Sequence, residues 1–261
     1  MMSPWIKNLL RLSFSSSSQI SHKFPMEIEI KLRLPDSAAH QKLSDILSLY
    51  HTKTHLQQNL FFDTPQLTLA TTHLAALRLR FYDLDTQSIL SLKSKPKLSN
   101  GISRIEEIEH PLDPTLARAC AAEPRRFSAV QGSGVLERVV GEFGVGLDEL
   151  VCLGGFRNVR AVYIWNGLKV ELDESEYEFG VCYEVECESD RPEEVKVMLE
   201  ELLERNGIRF CYSKMSKFAV FRSGKLPEFG FDVLVTCELE TYEDVDDDPL
   251  VRTRYSMMRE Q

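Results

Sequence analysis

Strand-length segments with one apolar face and one densely charged face recur along this chain of 261 residues. The first is MEIEIKLRL at 26–34, in which two acids and then two bases occupy every second position. Side chains that alternate with a period of two predict β-strands. The same alternation occurs in AALRLRFYD (75–83), SILSLKSKP (88–96), GISRIEEIEH (101–110), NVRAVYIWNGLKVELDE (158–174) and VCYEVECES (181–189). Within 158–174, the dipeptide Asn166-Gly167 predicts a hairpin turn.

The apolar faces of these strands need a partner, and helical patterns elsewhere in the chain supply one. Helices are predicted near 36–50, 113–122, 133–142 and 190–206. If the helices cover the apolar faces from outside, the charged faces must turn toward one another. A dry interior filled with unpaired charges would be strongly unfavourable. The pattern therefore favours a sheet closed into a barrel whose lumen holds water, ions and a charged ligand.

Basic and acidic side chains are both numerous on the predicted inner faces. Arg and Lys suit the oxygens of an extended polyanion, and Arg matches phosphate well. Clustered carboxylates suit a hard divalent cation such as Mg²⁺. The basic set is Lys31, Arg33, Arg78, Arg80, Lys93, Lys95 and Arg104, with Arg160, Lys169 and Lys217 less firmly in phase; the acidic set is Glu27, Glu29, Glu106, Glu171, Asp173, Glu184, Glu186 and Glu188. Together they predict a metal-assisted phosphoryl-transfer site.

These segments resemble the motifs of a known family, the triphosphate tunnel metalloenzymes, also called the CYTH superfamily. EIEIK at 27–31 resembles the ExExK signature of that family. The resemblance continues through FFDTP, LRLRF, SLKSKP, GISRIEE, VCLGGFRNVR, VELDE, CYEVECE and KFAVFRSGKLP, over residues 26–227. It is greatest for the plant inorganic triphosphatase (tripolyphosphatase) branch.

The resemblance implies a mainly β fold of the α+β type, namely an eight-stranded antiparallel β-barrel that forms a charged tunnel with helices packed outside. It implies metal-dependent hydrolysis of inorganic triphosphate to pyrophosphate and phosphate, with Mg²⁺ or Mn²⁺ as the cofactor. The short element KMSKFAVFRSGK (214–225) is expected to pack at the side of the barrel. The resemblance implies that this packing holds Lys217 inside the tunnel.

The implied site residues fall into three groups. The expected metal ligands are Glu27, Glu29, Asp173, Glu184, Glu186 and Glu188. The expected substrate-binding bases are Lys31, Arg33, Arg78, Arg80, Lys93, Lys95, Arg104, Arg160 and Lys217. Lys31 and Lys217 are also expected to be catalytic, together with Glu106 or Glu107. Alternation from Arg104 favours Glu106 as the inward-facing acid, and a β-bulge would favour Glu107.

Other functions compatible with the sequence remain open. The same tunnel could hydrolyse thiamine triphosphate or nucleotides, or cyclise ATP. A non-catalytic polyphosphate-binding module would keep the bases without the metal-side carboxylates, whereas this chain has both. An acidic scaffold acting through its tail would keep its function when the tunnel is mutated.

Composition limits the partners and the compartment. The net charge of −9 argues against a protein devoted to nucleic acid, and there is no apolar run long enough to span a bilayer. The expected partner is a small-molecule triphosphate, and the expected state is a monomer. The six cysteines show neither CxxC pairs nor metal-ligand spacing. Free thiols in a reducing compartment are therefore expected.

The two ends of the chain differ from the segment between them. Residues 1–25 contain no Asp or Glu and include a four-serine run, which is typical of an organelle transit peptide. A disordered extension before an internal start at Met26 is an equal alternative. The expected location is cytoplasmic, or mitochondrial or plastid if 1–25 is a transit peptide. Residues 228–261 are expected to form a disordered acidic tail.

Overall fold

The structure, a computed structural model, describes residues 25–230. The predictions for the N-terminal segment before residue 25 and for the acidic tail after residue 230 lie outside the described residues. The strands are β1 (Met26–Leu34), β2 (His51–Asp63), β3 (Ala75–Tyr82), β4 (Gln87–Ser99), β5 (Ile102–Leu112), β6 (Val151–Trp165), β7 (Leu168–Tyr177), β8 (Gly180–Glu188) and β9 (Cys211–Tyr212). The α-helices are α1 (Ser37–Ile46), α2 (Thr68–Thr72), α3 (Pro114–Ala122), α4 (Gly134–Gly141), α5 (Pro192–Arg205) and α6 (Lys217–Ser223).

Eight of these strands close into an antiparallel barrel. The order around the barrel is β1, β5, β4, β3, β2, β6, β7 and β8, and β1 pairs with both β5 and β8. The short strand β9 adds to β1 outside this ring. Closure leaves no free edge among the eight strands. The predicted eight-stranded barrel with external helices is confirmed.

The predicted hairpin at Asn166-Gly167 joins β6 to β7. Both residues have positive φ angles, of 51° and 77°. A two-residue turn of this kind needs left-handed backbone at both positions, which Asn and Gly adopt more readily than other residues. The turn sets the register that pairs Arg160 with Asp173.

Two apolar cores lie on the outer surface of the barrel. Helices α1 and α5 bury Leu43 and Leu199 against Ile30, Leu32 and Val185 of β1 and β8, all with at most 1% exposure. Burying each such side chain contributes about 1.5–3 kcal/mol. On the other side, α2, α3 and α4 pack against β3 and β4 in the same way. These cores hold the apolar faces outward and so turn the charged faces inward.

Helix α6 packs across one end of the barrel instead of along its side. Its Phe218 and Phe221 contact Phe61, with ring centroids 4.7 and 5.6 Å apart. Phe61 and Phe156 lie on the inner faces of β2 and β6, and both belong to the same apolar cluster as Val220 of α6. The expectation that this element packs at the side of the barrel is therefore wrong, because its apolar face meets residues of the lumen.

The described cysteines agree with the expectation of free thiols. Cys120, Cys152, Cys182, Cys187 and Cys211 are all free thiols. No helix within residues 25–230 combines the length and the apolarity that crossing a bilayer requires.

Candidate active site in the barrel lumen

Strand β1 shows how the fold separates its two kinds of side chain. Ile30 and Leu32 are fully buried in the outer core. Because side chains alternate, Glu29, Lys31 and Arg33 must point into the lumen. Their ion pairs agree: Lys31 contacts Glu29 at 2.9 Å, and Arg33 contacts Glu184 of β8 at 2.9 Å. The two outer cores therefore fix the direction of the charged side chains.

Three carboxylates from adjacent strands converge in the lumen. Oxygens of Glu29, Glu171 and Glu186 all lie within 4.8 Å of one another. Glu171 and Glu186 are directly paired across β7 and β8, and Lys31 is paired with Glu186 across β1 and β8. Hard oxygen donors grouped in this way fit a divalent cation such as Mg²⁺ or Mn²⁺. Of the three, Glu29 and Glu186 are expected metal ligands, whereas Glu171 is expected only as an acid of the inner face.

Lys217 and Arg160 hold the neighbouring acids in place. The Lys217 ammonium lies 2.8 Å from Asp173 and 3.1 Å from Glu184, and it also contacts Glu186. Arg160 contacts Asp173 and Glu186 at 2.6 Å each. Buried charges are tolerated only when they are paired in this way. The structure thus brings Lys217 into the lumen, as the resemblance implied.

A second group of charges lies on β1, β3, β4 and β5. Lys93 contacts Glu27 at 2.6 Å and Glu107 at 2.9 Å. Arg78 lies 3.2 Å from Glu107. The next base on β3, Arg80, donates from Nε to Oδ1 of Asn59 at 2.8 Å. This group presents guanidinium and ammonium groups on the side of the lumen formed by β3 and β4.

The pKa values reflect how closely these charges are packed. Burial and the nearby Glu186 raise the pKa of Glu29 to about 7. Burial alone would raise the pKa of Glu107, but Lys93, a hydrogen bond with Glu27 and Arg78 lower it to about 2. The pKa of Glu186 is likewise held well below its usual value, against the effect of burial, by Lys217, Lys31 and Arg160. Neighbouring acids in the lumen therefore differ in how readily they ionise.

The prediction that Glu106 faces the lumen is wrong, and so is the same prediction for Arg104. In the pairing of β1 with β5, Arg104 lies opposite Ile28 and Glu106 opposite Met26, on the outer face. Glu106 contacts Arg138 of α4 at 2.6 Å, and Arg104 contacts Glu193 of α5 at 3.0 Å. Since Arg104 faces outward, regular alternation alone places Glu107 inward, and no bulge is needed.

The prediction that Lys95 lines the lumen is also wrong. A register irregularity between Ser94 and Lys97 interrupts the pairing of β4 with β5. Lys95 has a φ of 52°, and its side chain is 58% exposed, 3.3 Å from Glu106. The bulge rotates Lys95 out of phase with Lys93, which remains inside.

Two further charged residues lie near the other end of the barrel from α6. Glu188 is the last residue of β8 and is exposed, although it pairs with Glu29 on the inner face. Lys169, near the start of β7, is 57% exposed and contacts Glu171 at 2.5 Å. Glu188 is therefore next to Glu29 of the carboxylate cluster in the sheet, but it is exposed and is not one of the three clustered carboxylates.

Uncharged side chains of the lumen were missed by reasoning from the sequence. Gln57, Asn59, Asn158 and Ser175 are at most 3% exposed and lie on the inner faces of β2, β6 and β7. Asn158 donates to Asp173 at 2.8 Å and accepts from Ser175 at 2.8 Å. The alternation of side chains along β2 and β6 could have predicted their inward direction. These residues carry no charge, however, and so do not form a charged face in the sequence.

A closed barrel with a lumen lined by buried bases and acids defines a tunnel protein suited to a small, highly charged ligand. The CYTH domain family matches residues 25–218 of the chain. Because this match spans more than half of the sequence, the chain belongs to the CYTH family. No curated protein matches the sequence.

Solved structures of other proteins are also similar to this chain. HpAC1 from Hippeastrum, a protein named as an adenylyl cyclase with a dominant triphosphatase activity, is 56% identical to this chain with a TM-score of 0.76. That similarity covers 78% of this chain and 98% of HpAC1. A protein from Bacillus halodurans named as an adenylate cyclase is 24% identical with a TM-score of 0.58, and the similarity covers 76% of this chain and 97% of that one. The second similarity supports the fold alone.

Proposed function

We propose that this protein hydrolyses inorganic triphosphate to pyrophosphate and phosphate inside the tunnel, in a metal-dependent reaction. The observation that carries the proposal is that a carboxylate cluster and a pair of arginines line the same lumen from different strands. The cluster is formed by Glu29, Glu171 and Glu186, and the arginines are Arg78 and Arg80 of β3. HpAC1, at 56% identity, has a dominant triphosphatase activity, which supports the same reaction here.

The basic residues have distinct parts in this proposal. Arg78, Arg80 and Lys93 would bind phosphate oxygens, since two guanidiniums and an ammonium match a polyphosphate in charge and geometry. Lys31 and Lys217 lie beside the carboxylate cluster. There they would stabilise the negative charge that builds up on the transferring phosphoryl group.

The metal is the second part of the proposal. Glu29, Glu171 and Glu186 would hold Mg²⁺, with Mn²⁺ as an alternative, because their oxygens lie within 4.8 Å of one another. When bound, such an ion would neutralise phosphate charge and activate water. Glu27, Asp173 and Glu184 would support this cluster through their contacts with the neighbouring bases.

A side-by-side assay tests the function. Phosphate release is measured from tripolyphosphate, ATP and thiamine triphosphate, each with Mg²⁺, with Mn²⁺ and with a chelator. We expect the largest kcat/KM for tripolyphosphate and loss of activity with the chelator. A higher kcat/KM for thiamine triphosphate or ATP would assign the tunnel to organic triphosphates. Tight binding of tripolyphosphate without release from any substrate would instead make the protein a binding module.

The remaining expectations concern the state of the protein in the cell. We propose that it acts as a monomer on a small-molecule triphosphate, without nucleic acid or membrane as a partner. Its compartment depends on whether residues 1–25 target an organelle, which import of a fluorescent fusion with and without that segment would test.

A further inference from the structure

On strands β2, β3 and β4, three buried polar atoms that face the lumen lack a hydrogen-bond partner among the described residues. They are Nδ2 of Asn59, Nε of Arg78 and Oγ of Ser91. Asn59 and Ser91 are both 0% exposed. A buried polar group without a partner destabilises the folded state by about 1–3 kcal/mol. Such groups are rare in proteins, so three of them in one place need an explanation.

The three atoms belong to one patch on the inner face of the barrel. Asn59 of β2 is directly paired with Arg80 of β3, and Arg78 of β3 is directly paired with Ser91 of β4. Directly paired residues in a sheet have Cβ atoms about 4.5–5.5 Å apart and share a face. Arg78 and Arg80 are two residues apart on one strand, so their side chains point the same way. Two neutral groups therefore flank two arginines.

Asn59 is oriented by its other atom. Its Oδ1 accepts the hydrogen bond from Nε of Arg80 at 2.8 Å. The Asn59 carboxamide thus orients the Arg80 guanidinium through its oxygen, while its NH₂ group has no acceptor among the described residues. Ser91 lies between Leu90 and Leu92, which are fully buried in the outer core, and the alternation directs its hydroxyl inward.

We propose that Asn59 and Ser91 are substrate-binding residues, whose side chains donate hydrogen bonds to oxygens of a phosphate group that Arg78 and Arg80 neutralise. This inference rests on the proposed function, because it takes the lumen to be the triphosphate site. Phosphate oxygens are strong acceptors, and each could take a neutral donor beside a guanidinium. Bound substrate then supplies acceptors that the described residues do not provide for Asn59 and Ser91, which favours the bound state.

Ser91 offers the sharper test, with a matched control on the same strand. Ser91→Ala removes a hydroxyl that has no partner in the free protein, so the melting temperature should stay the same or rise. Ser88 of β4 is equally buried, but its Oγ donates to the carbonyl of Leu112 at 2.6 Å. Ser88→Ala should therefore lower the melting temperature and leave substrate affinity unchanged.

The measurements are the Kd of tripolyphosphate by calorimetry in EDTA and the KM with Mg²⁺. Loss of one hydrogen bond to a charged oxygen should weaken both by about tenfold in Ser91→Ala. Asn59→Asp keeps the acceptor for Arg80 and replaces the donor, so it should weaken binding at least as much without lowering the melting temperature.

The outcomes separate this inference from the proposed function. If both variants keep the wild-type Kd and KM, the inference is overturned while hydrolysis stands. If Ser91→Ala loses affinity and melting temperature together, its role is structural and the inference is again overturned. If the wild type binds tripolyphosphate without hydrolysing it and the variants bind more weakly, the inference stands and the proposed function fails. If the wild type neither binds nor hydrolyses tripolyphosphate, both are overturned.

Discussion

Lys217 contacts three acids that come from only two strands. They are Asp173 of β7 and Glu184 and Glu186 of β8, all at most 2% exposed. Burial opposes a charged ammonium, but these acids together raise the pKa of Lys217 well above its usual value. The residue is therefore a fixed cation at all ordinary pH values, held where phosphate would lie beside the carboxylate cluster.

Lys217→Ala should lower kcat by at least about tenfold, which corresponds to 1.4 kcal/mol of barrier. It should also lower the melting temperature, because removing one partner of a buried ion pair costs about 3–5 kcal/mol. Lys217→Arg, which keeps the charge, should retain more of the stability than of the rate. Lys225→Ala, at an exposed position just beyond the same helix, is the control. If Lys217→Ala keeps the wild-type kcat, Lys217 has no role in catalysis.

Glu106 and Glu107 provide a matched pair of neighbouring acids. Glu107→Gln should lower kcat/KM by at least about tenfold, since it weakens contacts with Lys93 and Arg78 in the lumen. Glu106→Gln should leave kcat/KM unchanged and lower the melting temperature, because Glu106 contacts Arg138, whose side chain is 2% exposed. Steady-state kinetics and thermal melts of both variants test the assignment, and the reverse pattern would refute it.

Helix α6 carries both the lumen residue Lys217 and the apolar residues that hold the helix on the barrel. It begins at Lys217, where Ser216 caps it by accepting a hydrogen bond from the amide of Ala219 at 3.2 Å. Val220 is fully buried, and Phe218 and Phe221 pack on Phe61 at the end of the barrel. The position of the Lys217 ammonium therefore depends on apolar packing that lies outside the charged part of the lumen.

Phe221→Ala should lower kcat, although the Phe221 ring packs in the apolar cluster with Phe61 and Val220. Loss of the ring would loosen α6 and increase hydrogen exchange at the amides of 217–223. Arg222→Ala, which changes an exposed side chain of the same helix, should alter neither quantity. Faster exchange with unchanged kcat would mean that α6 only seals the barrel.

Burial of Glu29 inside the barrel should make the affinity for a metal ion depend on pH. Burial and Glu186 raise the pKa of Glu29 to about 7, so this acid is mostly protonated at pH 6 and mostly ionised at pH 8. A carboxyl must lose its proton to bind a metal. The stability of the metal-free protein depends on pH in the opposite direction. The folded state holds the Glu29 proton more tightly than the unfolded state does. The contribution of Glu29 to the free energy of unfolding therefore falls as pH rises from about 4.5 to about 7.

Mg²⁺ should therefore raise the melting temperature more at pH 8 than at pH 6. With a pKa near 7, affinity at pH 6 should be about tenfold weaker than at pH 8. Thermal melts over a range of Mg²⁺ concentrations at both pH values measure this difference. In Glu29→Gln the dependence on pH should largely disappear, and an equal dependence in that variant would show that another group controls it.

Much of the fold could be read from the sequence because strand alternation ties each residue to a face. The charged face of 26–34 and the apolar patterns of the helices together required an inside-out barrel, and the barrel is present. Most of the predicted bases and acids reached the lumen for the same reason. A period of two is a property of the strand itself, so it needs no tertiary information.

Only the tertiary structure determined which residues of β5 face inward, where β4 is irregular, and which uncharged residues lie together in the lumen. Segment 101–110 carries charges on both faces, so only its pairing with β1 showed that Glu107, and not Glu106, faces inward. The left-handed backbone at Lys95 reverses one side chain, and nothing in its alternation with Lys93 indicates this. Asn59 and Ser91 lie 32 positions apart in the sequence and share a patch only because β3 pairs with both β2 and β4. Local sequence fixes the direction of a side chain within a strand, whereas its neighbours depend on which strands the closed barrel brings together.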